Sequence, residues 1–207
     1  MKKVQKKNAG TRQGGSAKPN AIVLAGLELF TQYGYRKTSI DDIANAAQVA
    51  KRTVYLHFEN KAAVFLAILE YLGDQVRQRC LAAERMGGTA VDRLTGLLDA
   101  YFGMAFELFS KSVHMPELEE TFSTLARARI GHLNTEYEDR LARFLRSLQK
   151  TGAIGGPPQG LTVEQIVHIL VRAAEGAKHD PEVQGDRKAL QRRLRELAIL
   201  VIAGMNK

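Results

Sequence analysis

The apolar positions of this chain recur every three or four residues, and no segment alternates apolar with polar as a half-buried strand does. Between Pro19 and Gly34, Ile22, Leu24, Ala25, Leu27, Leu29 and Phe30 mark a first helix. Pro19 suits its first turn, where a missing N–H is harmless, and Gly34 supplies the stop. Ser39 followed by Asp42 predicts a capping box, with Asp41 and Asp42 at the positive end of the next helix. Ile43, Ala44 and Ala47 give that short helix one apolar face. After a break at Gln48-Val49, a second short helix is expected from about Ala50 to His57, with Val54 and Phe58 turned to the core. Glu59-Asn60 reads as a turn, and a long helix opens at Lys61 with Val64, Phe65, Ile68, Leu69 and Leu72 inward.

Helical spacing continues to the end of the chain. A helix is predicted from Thr89 to Ser110, another from Met115-Pro116, and another from Ile130 to Lys150. The Gly155 to Gly160 stretch is a loop, Thr162 with Gln165 caps the next helix, and Asp186 caps the last, to about Met205. The fold class is therefore all-α with about nine helices. Three regions are expected: a disordered basic tail over 1–18, a helix-turn-helix domain over 19–65, and a helical body over 66–207.

Charge sharpens this division. The net charge is +8, and from Met1 to Lys61 eleven Lys and Arg stand against four Asp and Glu. One end of the molecule suits a polyanion and the rest is close to neutral. The tail, with Lys2, Lys3, Lys6, Lys7, Arg12 and Lys18, either solubilises the chain or adds phosphate contacts as a flexible arm. No stretch approaches the roughly 18 uninterrupted apolar residues of a membrane span, and the basic start lacks a signal peptide's apolar core. A cytoplasmic protein is expected. The single cysteine, Cys80, agrees and reads as a packing residue.

Two short helices joined by a tight turn let the second enter the major groove while the first crosses the backbone. With Val54 and Phe58 inward, Lys51, Arg52, Thr53, Tyr55 and His57 are left to donate hydrogen bonds to phosphates or base edges. The segment from Phe30 to Phe65, FTQYGYRKTSIDDIANAAQVAKRTVYLHFENKAAVF, resembles the DNA-binding domain of the tetracycline-repressor (TetR/AcrR) family. The likeness rests on Tyr33-Gly34, Thr38-Ser39, Asp42-Ile43-Ala44, Val49, Lys51, Thr53, Tyr55-x-His57-Phe58 and Lys61. It implies that Thr38 holds a phosphate beside Ser39 and that Lys51 and Thr53 lie at the groove. Thr53, Tyr55, His57 and Lys61 would meet the DNA backbone. Lys61 also opens a helix, whose N-terminus attracts phosphate. The sequence departs from the family pattern twice. Gln48 stands where a turn glycine is usual, so either a positive φ there costs about 1 kcal/mol or the turn takes a slightly different form. Arg52 replaces a small residue, and it either reads guanine O6 and N7 bidentately or adds a phosphate contact.

The same resemblance implies a C-terminal domain that binds a small molecule and forms a homodimer on double-stranded operator DNA. Candidate pocket residues are Tyr101, Phe102, Phe122, Tyr137 and Phe144, with His168 and Arg172 as polar anchors, although aromatics at helical spacing also build cores. Ile166, Leu170 and Ala173 on one helix and Leu194, Leu197 and Val201 on the other form the candidate dimer face. The expected protein is a dimeric repressor released from its operator by an apolar or amphipathic effector, with no cofactor, metal or catalytic residue. Two other readings compete with this one. An enzyme would need His114 with Glu117, Glu119 and Glu120, or His179-Asp180, to complete a ligand set that their spacing does not supply. A ligand-independent DNA binder would need only the first domain and a dimer.

Overall fold

The computed structural model describes the backbone of residues 17–206 and the side chains of residues 19–206. The tail expected over 1–18 lies outside these, except that Ala17 and Lys18 already belong to the first helix. Ten α-helical segments run in order: α1 (Ala17–Tyr33), α2 (Ile40–Ala46), α3 (Lys51–His57), α4 (Lys61–Arg85), α5 (Ala90–Leu98), α6 (Met104–Phe109), α7 (Met115–Leu125), α8 (Arg127–Lys150), α9 (Val163–Ala177) and α10 (Arg187–Gly204). A π-helical segment, Asp99–Gly103, joins α5 to α6 without a break, so these form one rod and the described residues make nine. No strand occurs among the described residues.

The caps follow the local chemistry. Ser39, Thr89 and Thr162 each complete a capping box, with Asp42, Asp92 and Gln165 respectively. Asn60 caps α4 through the Ala63 N–H, and Asp186 caps α10 through the N–H groups of Lys188 and Ala189. Gly34 ends α1 at φ 84°, its N–H donating to the Phe30 carbonyl at 3.0 Å.

The turn between α2 and α3 is a Schellman motif. The Val49 N–H donates to the Ala44 carbonyl at 2.9 Å, and the Gln48 N–H to the Asn45 carbonyl at 3.1 Å. This geometry requires a left-handed residue, and Gln48 has φ 55°, alone among the described non-glycine residues. Its side chain is exposed, so nothing packed is lost by removing it. Gln48→Gly is therefore expected to stabilise the chain by about 1 kcal/mol, raising Tm by roughly 2–4 °C. Thermal unfolding followed by circular dichroism checks this, and an unchanged or lower Tm would refute the strain.

Burial divides into two cores. The first gathers Ile22 and Phe30 of α1, Ile43 of α2, Val54 of α3 and Val64, Phe65, Ile68 and Leu69 of α4. It also takes in Leu118 of α7 and Ala126 before α8, so it reaches beyond residues 19–65. The second packs α5, the π segment, the C-terminal half of α8, α9 and α10 around Leu94, Leu98, Phe102, Leu141, Leu145 and Leu170. Helix α4 serves both, with Ile68 and Leu69 in the first core and Cys80 and Ala83 in the second.

Candidate nucleic-acid interface and ligand cavity

Helix α3 buries Val54 completely, and Phe58 just beyond it is half-buried. That anchoring turns Lys51, Arg52, Tyr55, Leu56 and His57 to the outside, with Thr53 half-buried at the edge. Tyr55 is 50% exposed and Leu56 71%. Lys51 is paired with Asp41 of α2 at 2.7 Å, a hydrogen bond that raises its pKa. Arg52 has no ion pair among the described residues, so its guanidinium fork is available.

Two expected phosphate ligands sit elsewhere. Thr38 is buried, and its hydroxyl donates to the Gly34 carbonyl at 2.7 Å. The Lys61 ammonium points back into the protein. It donates to the carbonyls of Tyr35 at 2.7 Å, Thr38 at 2.8 Å and Arg36 at 3.3 Å, 4.4 Å above the centre of the Tyr35 ring. Burial holds its pKa below the usual lysine value. Lys61 therefore staples the turn between α1 and α2 to α4, while Thr38 closes that turn onto the end of α1. A lysine opening a helix looks ready for phosphate in the sequence, but three carbonyls over 20 residues away take its protons. Ser39 remains exposed, with its hydroxyl committed to the cap of α2.

A second set of contacts, without any local sign in the sequence, ties this head to α7. The Arg36 backbone N–H donates to Glu117 Oε1 at 2.5 Å, and the Arg36 guanidinium pairs with Glu120 at 2.6 Å. The Ser112 hydroxyl donates to the Thr31 carbonyl at 2.6 Å, and His114 Nδ1 lies 4.0 Å from Glu117. A Cβ on Gly34 would collide with the Glu117 carboxylate. His114 and Glu117 thus belong to a contact between the head and the body. Among the described residues no three His, Cys, Asp or Glu side chains gather as metal ligands.

The opposite face of α7 borders a half-open cavity of about 810 Å³ lined by α4, the α5–α6 rod, α7, α8 and α9. Leu69, Leu72, Val76, Met104, Phe122 and Leu133 contribute apolar wall. Tyr101, Phe102, Phe122, Tyr137 and Arg172 of the expected pocket line it. Phe144 and His168 do not. Phe144 is buried in the second core two turns along α8 from Tyr137, and His168 is exposed, 3.6 Å from Glu138. Tyr101 and Tyr137 stack at 4.7 Å, and the Tyr101 hydroxyl donates to Asn134 at 2.9 Å. The Tyr137 hydroxyl donates to the Leu97 carbonyl at 3.0 Å, at the point where the π segment departs from α-helical bonding.

Burial pushes the Cys80 thiol up to about 11 and the Tyr101 hydroxyl up to about 12, and holds the buried Tyr137 well above its ordinary range. A group whose pKa rises on folding stabilises the fold below its unfolded pKa and ceases to as pH rises through the folded value. The unfolded thiol and phenols release protons from about pH 8.5–10, while the folded ones hold theirs to about 11 and 12. Tm is thus expected to fall steadily from pH 8.5 to pH 11, and less steeply in Cys80→Ala with Tyr101→Phe. Parallel slopes for the two proteins would disprove the assignment.

The dimer-face expectation is corrected. Ile166, Leu170 and Leu194 are 7%, 2% and 0% exposed within the single chain, so they are core. Leu197 and Val201 are half-buried against the same core. Of the six, only Ala173 is exposed. The apolar groups that the two helices leave open are Ile169, Ala173 and Gly176 on α9 and Ile199, Leu200 and Ala203 on α10, one residue round from the expected stripes.

A short helix pair with an exposed cationic second helix, packed on further helices that border a half-open cavity, has the build of a helix-turn-helix protein. Residues 22–68 match the family model for bacterial regulatory proteins of the tetR family. Over 70 residues it is 34% identical to the uncharacterized HTH-type transcriptional regulator YuxN of Bacillus subtilis, covering 34% of this chain and 24% of that protein. The match thus spans about a quarter of that relative's length. Over 124 residues it is 23% identical to the biofilm operon icaADBC negative transcriptional regulator IcaR of Staphylococcus aureus, covering 59% of this chain and 67% of IcaR. The fold is shared with the Bacillus subtilis transcriptional regulator FadR, solved in complex with stearoyl-CoA, at a TM-score of 0.65 and 22% identity over 89% of this chain and 98% of that one. No helix among the described residues is long and apolar enough to cross a membrane.

Proposed function

We propose that this protein is a homodimeric repressor that grips double-stranded operator DNA through α3 and releases it when an apolar or amphipathic effector fills the cavity. The observation that carries this reading is the double role of α7. One face of the helix borders the 810 Å³ cavity, while Glu117 and Glu120 on it hold Arg36, just ahead of α2 and α3. A ligand that shifts α7 moves the head, and its effect equals its differential affinity for the two positions. Arg52, Thr53, Tyr55 and His57 are the proposed DNA contacts, with Lys51 free to exchange Asp41 for phosphate. Ser39 adds only its place at the N-terminus of α2, and the α4 N-terminus offers backbone N–H groups where the Lys61 side chain does not reach. The dimer forms through α9 and α10, which sets two recognition helices on half-sites related by a two-fold axis. IcaR is named a negative regulator and FadR binds stearoyl-CoA, which makes repression the first mode to test and stearoyl-CoA the first effector.

The test is fluorescence anisotropy on DNA from upstream of the protein's own gene, with and without stearoyl-CoA. A bound effector is expected to weaken operator affinity by roughly 5–150-fold, the usual range of allosteric coupling. In Glu117→Ala, operator affinity is expected to stay within a few-fold of wild type while most of that response is lost. Full effector response in Glu117→Ala would remove α7 from the route. Operator binding indifferent to every amphiphile tried would leave a ligand-independent DNA binder.

A further inference from the structure

Arg140 borders two cavities. On one side lies the 810 Å³ space, and on the other a cleft of about 390 Å³ walled by Glu84, Arg93, Arg140, Arg143, Phe144 and Ser147. Both lie on the same faces of the same helices. Along α8, Tyr137 and Arg140 of the cavity are followed a turn later by Arg143 and Phe144; along α4, Cys80 is followed by Glu84. Arg140, which lines both spaces, is paired with Glu84 of the cleft at 2.9 Å.

The cleft is short of acceptors. One carboxylate, Glu84, faces three guanidinium groups. The Arg93 guanidinium lies 5.0 Å from the centre of the Phe144 ring, and one of its nitrogens donates to the Glu84 carbonyl at 3.3 Å. Its Nε is buried without a partner, and Arg143 makes no ion pair among the described residues. A buried N–H without an acceptor is costly, and a guanidinium fork matches a phosphate or carboxylate in shape and charge. In the wall of the large cavity Arg77 is paired with Glu136 at 3.1 Å, Lys178 with Glu175 at 2.6 Å and Arg172 with Glu138 at 3.8 Å, and Arg127 has no ion pair among the described residues. In the cleft three guanidinium groups share one carboxylate, next to an apolar space.

We propose that this cleft is the headgroup subsite of the effector. The ligand is an anionic amphiphile whose apolar chain fills the cavity and whose phosphate or carboxylate lies among Arg93, Arg140 and Arg143, taking the place of Glu84 on Arg140. The inference rests on the reading of the cavity as an effector site.

The test is isothermal titration of the full-length protein with decyl phosphate, decanoate, decan-1-ol and inorganic phosphate, beside Arg143→Ala and Glu84→Gln. Wild type is expected to bind the anionic chains about 10–100-fold more tightly than the alcohol. Decyl phosphate against decanoate tells which head the subsite prefers. Arg143 is exposed, so its alanine variant should fold, lose most of the preference and bind the alcohol unchanged. Glu84→Gln removes the competing carboxylate and should tighten the anionic ligands, an effect that a purely structural ion pair would not produce. Equal binding of anion and alcohol, a preference that survives in Arg143→Ala, or inorganic phosphate binding as tightly as decyl phosphate would each overturn the proposal. Operator release is read in parallel. If decyl phosphate binds through Arg143 but the operator complex survives, the subsite stands and the release mechanism falls.

Discussion

A chain carrying aspartate at both Ile169 and Leu200 is expected to be a folded monomer whose operator affinity is lower by about a hundredfold or more. Both side chains are largely open in the single chain, 57% and 68% exposed, so charging them removes little internal packing. In a two-fold dimer built on α9 and α10 each substitution enters the interface twice, and four carboxylates would have to lose water without partners, at several kcal/mol each. Dissociation follows. Each monomer then holds one half-site alone and loses the gain of the second, tethered contact. Size-exclusion chromatography with light scattering reads the first effect and anisotropy the second. A variant that remains dimeric would show that another face mediates pairing. Leu170→Asp provides the contrast: at 2% exposure it should unfold the body, which helical content reports directly.

That contrast marks where the sequence stopped being informative. The apolar pattern of α9 names the right helix but carries two stripes. Val163, Ile166, Val167, Leu170, Val171 and Ala174 face inward, while Ile169, Ala173 and Gly176 face out. One step along a helix turns a side chain by about 100°, and nothing local tells which stripe meets the chain's own α8 and α10. The caps behaved differently. The boxes at Ser39 and Thr162 and the Asp186 cap depend on residues two or three apart, so the boundaries of α2, α9 and α10 were legible. Gln48 was legible only through the family resemblance, which puts a turn glycine at its place, and its φ of 55° follows that pattern.

Contacts between distant segments were not legible. The staple at Lys61 needs the carbonyls of Tyr35, Arg36 and Thr38, and the clamp on Arg36 needs Glu117, 81 residues on. The π segment breaks the regular period of a rod that the apolar spacing reads as one helix from Thr89 to Ser110, and its only local trace is the pair of glycines at 96 and 103. The cavity was half legible. Its aromatics were expected, but whether Tyr137 or Phe144 faces the open space depends on how α8 leans on α4.

Arg52→Ala is expected to lose about 1–3 kcal/mol of discrimination at one base pair of the operator, roughly 5–150-fold, while affinity for unrelated DNA changes far less. The reason lies in what surrounds the side chain. Lys51, beside it, already has Asp41 at 2.7 Å, and Lys61 is spent on three carbonyls. Arg52 is thus an exposed cation of α3 with no protein partner among the described residues, on the helix held by Val54. Arg52→Lys keeps the charge but not the planar fork, so it should hold the salt dependence and still lose the base preference. If Arg52→Ala instead weakens all sequences equally and flattens the salt slope by about one unit, the guanidinium is a phosphate contact and specificity lies in Tyr55 or Leu56. Lys61→Met separates staple from phosphate ligand in the same assay. As a staple its loss lowers Tm and leaves the salt slope intact, because a side chain turned onto its own backbone releases no counterion from DNA. A flattened slope at unchanged Tm would mean that the ammonium swings out to phosphate once DNA arrives.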